Sequence, residues 1–94
     1  MFVLRGGGLD IIDFLSLCKD YQRHGLFAQA VEGYKEILKK NSSNTEALHY
    51  MGMALIQMKD ICGLELVKKS LIINPSNEKF LHNYKIALKL ISSF

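Results

Sequence analysis

The chain resembles itself at a fixed interval, and that constrains its fold more than any single residue. Leu17, Cys18 and Tyr21 are followed by Met51, Gly52 and Leu55, each 34 positions later. Ala30, Tyr34, Leu38 and Ser42 are followed by Gly63, Val67, Leu71 and Pro75, each 33 positions later. One residue is therefore lost in the corner between Lys59 and Gly63. A third, partial copy opens after Asn77, where Met51, Ala54 and Leu55 recur as Tyr84, Ala87 and Leu88 at 33. A unit this short cannot bury its own apolar face, so stacked neighbours must cover one another.

Inside each unit the period is helical. Leu48, Met51, Gly52, Leu55 and Met58 recur every three or four positions. Tyr50, Met53, Ala54 and Ile56 fill most of the remaining surface, leaving His49 and Gln57 as the polar interior positions. A helix apolar nearly all round needs cover on more than one side. The next helix sets Ile61, Leu64, Val67 and Leu71 against Glu65, Lys68 and Lys69, and Gly63 and Ser70 offer small surfaces for close approach. Asn74-Pro75 closes the unit. In the first unit, Asp10 is the expected N-cap, with Asp13 three residues on. Phe14, Leu15, Leu17, Cys18 and Tyr21 mark one face, and His24-Gly25 ends the helix. A second helix runs from about Phe27 with Ala30, Val31, Tyr34, Ile37 and Leu38 inward, and Lys39 and Lys40 suit the dipole of its last turn. Asn41-Ser42-Ser43-Asn44 is a loop that supplies the next cap. Glu78 to Phe94 reads as a lone fifth helix. The fold class is all-α.

Composition excludes several functions. The 94 residues make one domain, and 49% hydrophobic content with one proline favours a folded helical chain. The net charge of +3 is weak, and basic residues sit beside acidic ones, as in Glu32 with Lys35 and Glu36 with Lys40. Solvated faces follow, and no nucleic-acid surface. Cys18 and Cys62 form no metal-ligand pattern and read as reduced thiols of a cytoplasmic protein. No apolar run approaches bilayer length, so no membrane insertion is expected. Residues 1–9 are expected to form a flexible arm ahead of a domain over 10–94. Met1 to Leu4 is too short for a signal peptide, and Gly6-Gly7-Gly8 lacks the context of a phosphate loop.

A two-helix unit repeating at about 34 residues, with small and large residues in this order, resembles the tetratricopeptide repeat. The matching positions are Leu17, Cys18, Tyr21, Ala30, Tyr34 and Ile37, then Met51, Gly52, Leu55, Gly63, Val67, Ser70 and Pro75. The resemblance covers Ile11 to about Ile91. Leu48 stands where the family often has tryptophan, and Ser42 replaces the closing proline. The resemblance implies an α-α superhelix of about two and a half helix-turn-helix repeats, five helices in all: 11–44, 45–77 and a terminal helix 78–92. It also implies a protein or peptide partner bound on the concave surface of the first helices. Carried over by position, that surface comprises Lys19, Gln22 and Arg23, then His49, Tyr50, Met53, Ile56 and Gln57, then Lys79, His82, Asn83, Ile86 and Lys89. Such a lining suits a segment with acidic character. The chaperone-clamping variant of the family is not assigned: only Lys79 matches its basic set, and Leu15 and Tyr50 stand where polar residues are needed.

No catalytic constellation stands out, so neither enzyme activity nor a cofactor is expected. His49 and His82 hold the same position in successive units and should lie along one surface, roughly 10 Å apart, too far to share a metal ion. The last helix is apolar on several sides. Leu88, Leu90, Ile91 and Phe94 are expected to mediate self-association, giving a homo-oligomer (dimer), because exposing each large aliphatic side chain forgoes roughly 1.5–3 kcal/mol. An alternative is an accessory amino-terminal segment of a larger bacterial enzyme such as a glycosyltransferase, from a loose similarity of Ala47-Leu48-His49-Tyr50-Met51-Gly52 to repeats beside such domains.

Overall fold

Two asparagines start two of the helices in the same way. The Asn44 side chain accepts a hydrogen bond from the Ala47 N–H, and that of Asn77 accepts one from the Phe80 N–H, both at 3.0 Å. The computed structural model describes residues 11–94; the expected cap Asp10 and the arm over 1–9 lie outside the described residues. Its helices are α1 (Ile11–Arg23), α2 (Phe27–Lys40), α3 (Thr45–Gln57), α4 (Gly63–Ile73) and α5 (Glu78–Ile91). There are no strands among the described residues.

The corners after α1 and α3 share one backbone form. At the end of α1, Gly25 takes φ +78, and at the end of α3 its counterpart Lys59 takes φ +66. Both turns bond the following N–H back across the corner, Leu26 to the Tyr21 carbonyl at 2.9 Å and Asp60 to the Leu55 carbonyl at 2.8 Å. The loops after α2 and α4 match as well. Asn41 N–H reaches the Ile37 carbonyl at 3.0 Å, and Asn74 N–H reaches the Ser70 carbonyl at 2.9 Å.

Four residues separate Gly25 from Ala30 and three separate Lys59 from Gly63. The helix starts later in the second unit, so α4 has 11 residues against the 14 of α2. Asp60 accepts from the Cys62 N–H at 2.9 Å and holds a turn where α2 has its first helical residues. Ile61 therefore precedes α4 and is 58% exposed instead of joining its buried face. Met58 caps α3 and is also exposed.

α3 is the hub, packing against each of the other four helices. Between α1, α2 and α3 lies one core cluster of Leu15, Cys18, Ala30, Tyr34, Ile37 and Ala47. On the other side, Ile56, Val67 and Ala87 join α3, α4 and α5, with Met53, Leu64, Tyr84 and Ile91 packed around them. α1 touches α3 and α3 touches α5, whereas α2 and α4 do not meet. The odd helices thus form one continuous layer, in a molecule measuring 45 × 26 × 20 Å.

α3 and α4 approach closely. A Cβ on Gly63 would lie 2.3 Å from the Gly52 carbonyl oxygen. Gly52 follows Cys18 by 34 positions, and Lys85 follows Gly52 by 33. Lys85 is exposed on α5. A helix could not pack there as tightly as α4 packs on α3 without displacing the lysine.

Candidate functional site

The layer of odd helices brings Lys19 of α1, Tyr50 of α3 and Lys79 of α5 to one place. The Lys19 Nζ stands 4.7 Å from the centre of the Tyr50 ring and the Lys79 Nζ 5.4 Å from it. Both ammoniums sit where the ring's quadrupole attracts them. Hydrogen bonding to the Tyr50 side chain raises the Lys79 pKa, so it is cationic at neutral pH. Lys19 also pairs with Glu46 at 3.2 Å. With Gln22, Arg23 and Gln57 these residues line an open cavity of about 280 Å³.

The cavity floor is anchored in the core. The buried Tyr34 hydroxyl hydrogen-bonds the Gln22 side-chain amide at 2.7 Å, and the Gln22 amide bonds that of Gln57 at 2.8 Å. Burial pushes the Tyr34 hydroxyl pKa far up, which keeps it protonated. Arg23 pairs with Asp20 on its own helix. The face therefore offers an aromatic plate, two ammoniums, a guanidinium and two amides, a set suited to carboxylates on an extended or helical segment.

Two expected lining residues are not on this face. His49 is 0% exposed and Ile56 is 1% exposed. α5 lies over His49: the imidazole stacks on Phe80 with centroids 4.0 Å apart and planes at 12°, and meets Tyr50 edge-on at 4.8 Å. Its Nε2 lies 3.0 Å from the Asn83 Nδ2, while Nδ1 has no hydrogen-bond partner. Burial, reinforced by the Lys79 ammonium, pushes the imidazole pKa down to about 4. Ile56 belongs to the cluster with Val67 and Ala87, and Met53 packs half-buried against it. His82 is exposed, because no described helix covers it as α5 covers His49. The two histidines thus share a repeat position and not a surface. The Asn83 amide is committed to His49, whereas Lys79, Ile86 and Lys89 are exposed.

Leu88 and Leu90 of α5 and Phe94 just after it are exposed, the last at 50%. Ile91 differs from expectation: it is half-buried against the Ile56 cluster. Leu90 and Phe94 instead border a cleft of about 500 Å³ with Phe27, Gln57 and Lys59. Ile72 and Leu81 are further exposed aliphatics that the sequence reading did not single out. It also passed over Phe80, the stacking partner of His49. Phe80 stands where the preceding unit has the buried Ala47, and this small-to-large exchange at one repeat position was the available signal. A second apolar cleft, of about 510 Å³, lies between α1 and α2 around Phe14, Leu17, Tyr21 and Gly33.

Among the described residues no helix is long and apolar enough to cross a membrane, and no three His, Cys, Asp or Glu side chains group to hold a metal ion. No family model matches the chain, and no curated protein matches it.

Proposed function

We propose that this chain is a non-catalytic protein-interaction module of the tetratricopeptide-repeat type, whose odd-helix face binds an acidic peptide or protein segment. The observation that carries this is the convergence of Lys19 and Lys79 on Tyr50 from three different helices. A surface assembled across repeats recognises an extended partner better than a small solute, because its contacts are spread along the stack. The repeated corners at Gly25 and Lys59, 34 positions apart, support the repeat assignment. Leu88, Leu90 and Phe94 supply an apolar strip for self-association. Cys18 and Cys62 are free thiols, and burial pushes the Cys18 thiol up to about 11, which makes it an unreactive packing group.

The test is chemical-shift perturbation by glutamate-rich peptides, with glutamine-rich versions as controls. Shifts concentrated at Lys19, Tyr50 and Lys79, and a roughly tenfold weaker Kd on Tyr50→Ala, are expected. Equal binding of both peptide sets, or shifts confined to other faces, would remove the reading.

A further inference from the structure

We propose that His49 is an acid-sensitive latch on α5: protonating its ring frees α5 from α3 and carries Lys79 away from Tyr50. The latch is argued from the packing alone; only its consequence for a ligand rests on the binding face proposed above.

Four features of the joint converge. The ring is fully buried, stacked on Phe80 and bonded to Asn83 of α5, and edge-on to its neighbour Tyr50 of α3, with the Lys79 ammonium of α5 acting on it through space. With the Asn83 amide donating to Nε2, the proton of the neutral ring sits on Nδ1, which has no acceptor. A second proton would have to go on Nε2, where it would face the N–H of Asn83, donor against donor. Turning the Asn83 amide over would restore that one bond, but would leave a buried cation beside the Lys79 ammonium. Finally, among the described helices α5 packs on α3 and α4 alone, so its release leaves the α1–α4 stack joined. Solvating the ring then relieves the imidazolium at the cost of the contacts made by Phe80, Ala87 and Ile91.

The affinity of α5 for the stack is linked to pH through this one proton. With the docked ring titrating at about 4 and a released ring at about 6.5, the released state gains roughly 30-fold between about pH 7.5 and about pH 5.

Hydrogen–deuterium exchange of the full chain without ligand, corrected for intrinsic rates, tests this. Protection of α5 should fall roughly 30-fold over that range, while amides of α1 and α2 that exchange by openings local to those helices keep theirs. His49→Gln, neutral throughout and able to accept from Asn83, should hold α5 protection constant. His82→Gln, on α5 itself but exposed, should behave like the parent. If His49→Gln fails to fold, NMR of the parent decides: the His49 ring should titrate together with the α5 amides. The same loss of α5 protection in His49→Gln, or an imidazole that titrates while α5 amides stay fixed, overturns the latch. Because no ligand is present, a failed latch leaves the binding face standing. A face that binds nothing leaves the latch standing.

Discussion

A Cβ placed on Gly52 would lie 2.6 Å from the carbonyl oxygen of Gly63 and 2.7 Å from a methyl of Val67. Backbone meets backbone here, so no rotamer change can make room. Gly52→Ala is expected to destabilise by about 1–3 kcal/mol through overpacking, and Gly52→Leu by more. For a domain this size each kcal/mol lowers Tm by roughly 4–8 °C, so calorimetry resolves the effect. An unchanged Tm would mean that the α3–α4 joint is looser than described.

Lys59 holds φ +66 at the corner where the preceding unit has glycine. A side chain with a Cβ is strained there, whereas glycine is not. Lys59→Gly should stabilise by about 0.5–1 kcal/mol after the greater freedom of the unfolded chain is allowed for. Gly25→Ala should cost a similar amount. Urea midpoints at constant m-value measure both, and a Lys59→Gly midpoint below the parent's would refute the strain.

His49 should make stability fall on acidification. Its folded pKa of about 4 lies below that of an exposed histidine, so the unfolded chain takes up the proton first. Stability from this group is complete above about pH 6.5 and is lost as pH falls toward 4, by roughly 3 kcal/mol. Unfolding titrations across that window should show the slope in the parent and lose it in His49→Leu. A parallel slope in both would assign the effect to other groups.

Leu88 and Leu90 near the end of α5 and Phe94 just beyond it are large apolar groups left in water. Replacing all three by serine should turn an associating species into a monomer with little change in Tm, since none is fully packed. Sedimentation velocity at tens of micromolar provides the readout. A parent that is already monomeric would discard self-association.

Much of the fold was legible in the residues because its signals are local. Asn44 caps α3, Gly25 ends α1 and Phe27 opens α2 as expected, and Asn77 caps α5 in the same way as Asn44. The small residues Gly52 and Gly63 do mark a close backbone approach of α3 and α4. Other assignments were less secure. Ile61 fits the apolar period of α4, but Asp60 turns the chain first and leaves it outside. The lining was least legible. His49, Tyr50, Met53 and Ile56 alternate around a helix apolar on nearly every side, and no period indicates which of them a neighbour will cover.

What the chain settled by itself is the set of helices, their approximate ends and their repetition, since caps, glycines and spacing act within a few residues. Which side of α3 stays open to solvent was decided only when α5 came to rest on it. Phe80 and Asn83 then took His49 into the core and left Tyr50 between two lysines. Burial is a property of pairs of elements, and that pairing joins residues 34 apart, beyond the reach of any local preference.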